Sequence, residues 1–410
     1  MGRAAGMSEN QPLSINLQMT AMPHRSTPLT VGEPAPWFTC RSPSNPRYGF
    51  STVAGRYVVL CFLGSAADAD SQMLLQAIET HRALFDPEHI LLFNVSSDPQ
   101  DEAQGRLGDS ASGMRVFWDF DRAVARQFGL IQSGGEAGGQ LKKMVYVMDL
   151  RLRVLTAIPL QGDADQCVSR FVQVLQSLPP VGKLRMAGVQ APVLVLPRVF
   201  SPELCRTLIQ AYQQQGGEPS GFMRDVEGKT VLVNDGGHKQ RRDCLLQDVK
   251  LRDMCIGAIR ARLLPQLQNA FQFLATRMER HLVSCYDAEE DGHFRPHRDN
   301  TTLGTAHRRF AVSLFLNTGE YEGGLLRFPE YGPALFSAPT GGAVVFSCSL
   351  QHEATPVTRG QRYMYLPFLY DEAAAQVLMR NRKYLEVGGI DDELAQPTLL
   401  STPGNPGMLQ

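Results

Sequence analysis

The apolar residues of this chain change their spacing about halfway along its 410 residues, and that change constrains the fold more than any single motif. From Val31 onward, buried-strand runs alternate with helical stretches: YVVLCFL (57–63), the amphipathic ADSQMLLQAIETHRALF (69–85), then ILLFNVSS (90–97). The short helix DRAVARQFGL stops at Gly129, and the strand KMVYVMDL turns into RVLTAIPL. Strands separated by helices of this length predict βαβ units and an open, mainly parallel sheet. A helix over about 163–177 closes the unit at the Leu178-Pro179-Pro180 break. Beyond it the pattern differs. Ser201 can cap a helix with Pro202 at its first position and Gly216-Gly217 past its end. A helical region follows over about 248–280, kinked at Pro265. Then come HLVSCY, RRFAVSLFLN, GGLLRFP, ALFSA, GAVVFSC and RYMYLPFLY, short strands between Gly and Pro turns. Such spacing predicts an antiparallel sandwich or barrel packed on the preceding helices.

These patterns divide the chain into a flexible tail (1–29), an α/β unit (30–176), a linker (177–191), an α+β unit (192–375) and a C-terminal extension (376–410). With 40 basic and 41 acidic side chains the formal net charge is −1, which lacks the basic excess of a general nucleic-acid or membrane-surface binder. The longest apolar runs fall far short of the ~20 residues a spanning helix needs. The N-terminal MGRAAGMSENQPLS has no basic-then-apolar signal pattern, and Gly6 spoils a myristoylation match. A cytoplasmic protein with neither nucleic-acid nor membrane partner is therefore expected, its oligomeric state left open. The eight cysteines form no C-x-x-C pair, so neither a disulfide framework nor a zinc ribbon is expected. Cys61 reads as a buried neutral thiol, whereas Cys40 precedes a polar turn and reads as exposed.

The first half resembles a known family through VGEPAPWFTC, GRYVVLCFLGSAADADSQ, VFWDFDRAVARQFGL and YVMDLRLRV. Over about 30–176 these are similar to the peroxiredoxin branch of thioredoxin-like proteins. That family carries P-x-x-x-T-x-x-C after its first core strand. Here Gly64 stands for the proline, Asp68 for the threonine and Ser71 for the cysteine, and Lys143 replaces the assisting arginine. A serine hydroxyl stays protonated near neutral pH and has no redox ladder. The resemblance therefore implies a thioredoxin-like fold whose peroxidase thiol is lost, kept for a structural or partner-docking role.

The second half carries the chemistry. Within Gly292-His293-Phe294-Arg295-Pro296-His297-Arg298-Asp299-Asn300, His297 and Asp299 form an H-x-D pair, whose side chains point the same way at a strand end. His352 follows 53 positions after Asp299, just beyond a strand. Two histidines and a carboxylate on one face of an iron leave adjacent positions open. Arg362, ten residues on, can extend a planar guanidinium into the same barrel to clamp a carboxylate. With RFAVSLFLNTGEYEGGLLRFPEYG between them, these residues resemble the prolyl 4-hydroxylase-like branch of the iron(II)/2-oxoglutarate dioxygenases, over about 192–370 and most tightly over 286–370.

That resemblance implies a double-stranded β-helix (jelly-roll) oxygenase domain, with Fe(II) on His297, Asp299 and His352. Arg362 and Tyr286 would hold 2-oxoglutarate, Arg309 would face the substrate, O2 would be consumed, and ascorbate is a further candidate cofactor. The implied activity is hydroxylation of an unactivated C–H bond in a small-molecule or peptidyl substrate (a prolyl residue, an amino acid or a biosynthetic intermediate), with release of succinate and CO2. Phe294 and Leu316 stand where many members have tyrosines. His281, His293 and His307 read as structural, and the run His238-Lys239-Gln240-Arg241-Arg242 as a solvated loop. Gly228-Lys229-Thr230 is no phosphate loop, since Met223 occupies the position of its first glycine. Two other readings stay open: a catalytically inactive binding or sensing protein, and a thiol peroxidase using Cys40.

Overall fold

Tyr57–Gly64 is apolar at nearly every position because both of its faces are covered. Val58, Leu60 and Phe62 pack with Phe93, Phe117 and Phe128 on one face. Val59, Cys61 and Leu63 meet Leu74, Ile78, Phe171 and Leu175 on the other. The latter four lie on Ala69–Thr80 and Ala164–Gln176, helices that cover that face together. The computed structural model describes residues 25–110, 113–132, 139–160, 164–385 and 397–400. Its first sheet has the order Met114–Trp118, Ile90–Ser96, Tyr57–Gly64, Met144–Met148, Val154–Pro159. The first three strands are parallel and the last two antiparallel. The sheet is thus mixed rather than mainly parallel, because the turn at Asp149–Arg153 is too short for a crossover. This is a thioredoxin-like domain.

In the second unit the larger sheet brings together Arg242–Leu245, Leu282–Asp287, Gln361–Tyr365, Phe310–Phe315 and Phe368–Tyr370, with Ala343–Ser347 also paired to Phe310–Phe315. The smaller sheet runs Lys239–Gln240, His293–His297, His352–Ala354, Leu326–Arg327, Leu335–Phe336. Period-2 alternation sorts the larger sheet's side chains. Val283, Cys285, Val312, Leu314, Tyr363 and Tyr365 face the helices Pro202–Gln215 and Val249–Arg262. Tyr286, Ala311, Phe315 and Met364 face inward, toward Phe294, Leu326 and Ala354 of the smaller sheet. Two sheets closed over one apolar core, with helices outside the larger, make the expected jelly roll. Ser201 caps its helix as read, its hydroxyl accepting from the Leu204 amide at 3.2 Å. The helical region after Asp248 is interrupted between Arg262 and Leu264, but it ends at Phe271 and not near residue 280. Gln272 turns left-handed (φ 51°), and Arg277–Glu279 joins the larger sheet.

The expected boundaries shift at both ends. Residues 1–24 of the anticipated tail lie outside the described residues, but Leu29 is buried and Arg25 pairs with Glu33 at 2.7 Å. The packed chain therefore starts before residue 30. Of the C-terminal extension, Glu372–Asn381 is a helix, and Thr398–Leu399 pairs with Arg277–Glu279 while Leu400 enters the core. These segments belong to the second unit; residues 386–396 and 401–410 lie outside the described residues. Residues 178–193 have no regular structure, and Leu184, Met186 and Val189 are exposed, as a linker requires. The units touch beyond it: Arg262 donates from Nε to the Val31 carbonyl (2.9 Å), and Arg151 Nη1 donates to Val195 O (2.7 Å). No helix among the described residues is long and apolar enough to cross a membrane.

Candidate metal centre

His297 ends the strand His293–His297 and lies in register opposite His352, the first residue of its neighbour in the smaller sheet. Asp299 follows in the loop, its amide bonded to the Cys348 carbonyl at 3.1 Å. Its Oδ1 lies 3.6 Å from His297 Nε2 and its Oδ2 lies 3.4 Å from His352 Nε2. One donor atom from each of the three residues falls within 4.8 Å of the others. His297 Nδ1 sits 2.8 Å from the Arg295 carbonyl and His352 Nδ1 sits 3.1 Å from that of Leu350. A carbonyl can only accept, so each Nδ1 carries the proton and each Nε2 turns a lone pair toward the other donors. This donor set fits a divalent cation such as iron(II).

The electrostatics agree. Burial, then the neighbouring His297, pushes the His352 imidazole down to about 4, so it is neutral at physiological pH. Burial alone would raise the Asp299 carboxyl, but the two imidazoles outweigh it and hold the group below the usual carboxylate range. Phe294 stacks on His297 with ring centroids 3.4 Å apart, and Phe346 lies 4.5 Å from His352. These rings pack against the imidazoles, while His297 and Asp299 also line the larger cavity beside the site. The phenylalanine at 294 thus serves packing where a family tyrosine would bring a hydroxyl. Leu316 bears on nothing here, since it belongs to the outer core beneath the helices.

Arg362 and Tyr286 are brought together as expected, opposite one another across paired strands of the larger sheet. Both are buried, and they share a narrow cleft with all three residues of the triad. The Arg362 guanidinium lies 4.8 Å from the Tyr286 ring and 5.3 Å from that of Phe315. No carboxylate of the described residues pairs with it, and its buried Nε has no partner. The Tyr286 hydroxyl accepts from Arg241 Nη1 at 3.3 Å, which leaves its own proton free to donate. Arg309 is not in this group. It lines neither the cleft nor the larger cavity beside it, and its Nη1 donates to the Ala306 carbonyl at 2.9 Å. Arg308, one residue earlier, faces the larger cavity.

The reading of residues 238–242 as a solvated loop is overturned. Lys239 and Arg241 are each 6% exposed, because the chain passes there from the smaller sheet to the larger and turns both inward. Arg241 Nη2 bonds Asp243 at 2.6 Å, and Lys239 donates to Ser220 and Gly221. The missed signal is charge at 239, 241 and 243, the i, i+2, i+4 pattern of one strand face. His281, His293 and His307 are structural, as expected: His281 sits between Tyr365 and Thr398, His293 meets the Asp291 carbonyl, and His307 bonds Glu279.

In the first unit, Ser71 is buried with its hydroxyl spent on the Leu63 carbonyl, and Lys143 pairs with Asp68 at 2.9 Å. Cys40, expected to be exposed, is buried, because its strand folds against the domain and sets Sγ 3.5 Å from the Trp118 carbonyl. Burial, then Asp119, pushes its thiol up to about 12, the reverse of what a nucleophilic thiolate needs. All eight cysteines are unpaired.

Residues 281–370 match the family model described as the 2OG-Fe(II) oxygenase superfamily. The chain is 25% identical over 177 residues to the multifunctional procollagen lysine hydroxylase and glycosyltransferase LH3 of Rattus norvegicus, covering 42% of this chain and 22% of that protein. It is 30% identical over 126 residues to PKHD-type hydroxylases of two Synechococcus strains, covering 29% of this chain and 53% of each. It thus spans about half, or less, of the curated relatives it matches. For the first unit, the crystal structure of the peroxidoxin BcpB from Mycobacterium tuberculosis is similar at 20% identity and a TM-score of 0.31, over 36% of this chain and 97% of that one.

Proposed function

We propose, from a chain whose C-terminal region carries a 2OG-Fe(II) oxygenase domain, that this protein is an iron(II)- and 2-oxoglutarate-dependent hydroxylase. The observation that carries the reading is a His297–Asp299–His352 donor set sharing a cleft with a buried guanidinium, Arg362, that no carboxylate of the described residues pairs with. His297, Asp299 and His352 would hold the metal, which with 2-oxoglutarate and O2 supplies the oxidising power to hydroxylate a C–H bond, giving succinate and CO2.

The chain's own residues bind and orient. Arg362 would clamp the far carboxylate of 2-oxoglutarate, in a pocket dry enough for a charge-assisted pair to be strong. Tyr286 would donate its hydroxyl proton to the cosubstrate while Arg241 fixes its oxygen. The Nδ1 bonds of both histidines hold the imidazoles in the tautomer that ligation needs. Eight unpaired cysteines favour a reducing, cytoplasmic setting, and ascorbate would serve as an accompanying reductant. The first unit, with Ser71 in place of a thiol, is read as a structural or docking partner rather than a peroxidase.

The test uses the full-length chain with Fe(II), 2-oxoglutarate and O2, following succinate by mass spectrometry and Mn(II) binding by calorimetry. We expect His297→Ala and Asp299→Ala to lose both signals with an unchanged circular dichroism spectrum. Full succinate release by either variant would remove the triad from the reaction. Metal binding without any succinate from the unmodified chain would favour a binding or sensing protein.

A further inference from the structure

Beside the triad lies a second, larger cavity of about 450 Å³, between the hairpin strands Phe222–Val226 and Lys229–Val233 and the larger sheet. That volume suits a whole small molecule. Its inner wall holds a cluster of cations. Lys239, Arg280 and Arg308 line it, and Arg241 stands behind them. Among the described residues the carboxylates set among these four cations are Asp243, Glu279 and the triad's Asp299, and each is already engaged, Asp299 with His297 and His352. Asp243 takes Arg241 at 2.6 Å, Arg280 at 3.3 Å and the hydroxyls of Ser220 and Ser284 at 2.5 and 2.6 Å. Glu279 takes Arg308 at 2.6 Å and His307 at 2.7 Å.

Donors are left over on the cavity side. Lys239 Nζ has only neutral partners, the Ser220 hydroxyl and the Gly221 carbonyl, and no carboxylate of the described residues reaches it. Arg308 spends Nε on Glu279, and its two terminal nitrogens have no hydrogen-bond partner among the described residues. Arg280 Nε is buried without one. Arg280 also adopts a left-handed backbone (φ 69°), disfavoured for a residue with a β-carbon. Both it and Arg308 are stacked on the ring of Phe368, at 5.4 and 4.1 Å. Burial, then Arg241, drives Lys239 well below its usual range, and Asp243 and Asp299 offset this only in part. Buried charges persist when paired, and this wall lacks the anion that would pair it.

We propose that this cavity recognises the anionic head group, a carboxylate or a phosphate, of a small-molecule substrate, held by Lys239, Arg280 and Arg308 next to the metal triad. The word substrate rests on the hydroxylase reading; the anion site does not. A neutral prolyl residue within a polypeptide leaves these donors unanswered, so a free organic acid or phosphate ester is the class selected.

The experiment uses three probes that share one ring and differ in head group: benzoate, phenyl phosphate and the neutral benzamide. Each is titrated calorimetrically into the full-length protein, first alone and then with Mn(II) and 2-oxoglutarate. An anionic probe should bind about tenfold tighter than benzamide, the worth of one charge-assisted hydrogen bond. Whichever of benzoate and phenyl phosphate binds more tightly assigns the head group. The preference should shrink to near parity in Lys239→Met, which orphans no carboxylate, and in the double variant Glu279→Gln with Arg308→Gln, which removes both partners of an ion pair. It should survive in Arg362→Ala, which separates this site from the cosubstrate cleft. Equal binding of the three probes, or a preference untouched in both cavity variants, would overturn the proposal. A preference that holds while 2-oxoglutarate fails to bind would sink the hydroxylase reading and leave the anion site standing.

Discussion

A fully buried guanidinium without a carboxylate beside it is costly, and Arg362 is such a residue. Its place was legible in the sequence, because alternation along RYMYLPF puts 362 and 364 on the face opposite 363 and 365. The pairing of His297 with Asp299 was legible from a short spacing at a strand end, and His352 was added by the family resemblance. Arg309 was not. The strand begins only at Phe310, so alternation does not govern the residue before it, and its neighbour Arg308 takes the cavity wall. From the isolation of Arg362 we expect Arg362→Ala to raise the KM for 2-oxoglutarate about 10- to 100-fold with a smaller change in kcat, as loss of a charge-assisted pair predicts. Steady-state succinate kinetics check this; an unchanged KM would count against the clamp.

Elements hold these side chains by contacts that sequence spacing does not reveal. Gly324, in the turn before Leu326–Arg327, has φ 59°, and a β-carbon there would stand 2.7 Å from Arg362 Cδ. Gly324→Ala should therefore displace the guanidinium and weaken 2-oxoglutarate binding without touching the triad. The check is calorimetric: weaker 2-oxoglutarate binding with Mn(II) affinity intact. A second element-scale device is the knot joining Arg277–Glu279 to the loop before Phe310–Phe315. There Glu279 meets Arg308 and His307. Burial alone would raise the Glu279 carboxyl, but Arg308 and then His307 outweigh it and hold it at about 2. A carboxyl lowered on folding contributes stability above its unfolded value of about 4.5 and loses it as pH falls toward its folded value. Stability should thus decline between about pH 5 and pH 2, by roughly 3 kcal/mol from this group. Urea melts across that range test the slope, which Glu279→Gln should flatten; an equal slope in that variant would refute the assignment.

Across the whole molecule the two units are joined twice, by the extended segment 178–193 and by arginines that donate to carbonyls of the other unit. Trypsin should cut at exposed Lys183 or Arg185, and the two fragments should stay together on gel filtration. Arg262→Ala, which removes bonds to Val31 and Thr30 of the first unit, should let them separate; fragments that part without the substitution would show the contact too weak to matter. Both fold classes and the approximate division between the units follow from the sequence, because apolar periodicity is a local property that burial enforces residue by residue. The candidate metal-ligand set follows from the sequence only through the family resemblance of 286–370, since strand geometry does not fix the 53-residue gap from Asp299 to His352. Tertiary structure alone decided how charge is shared. That Asp243 and Glu279 are spent on three arginines and a histidine, leaving Lys239, Arg280 Nε and the far end of Arg308 over, depends largely on pairings between residues tens of positions apart. Ion pairing is set by distance and burial in space, and neither is encoded in the order of charges along the chain.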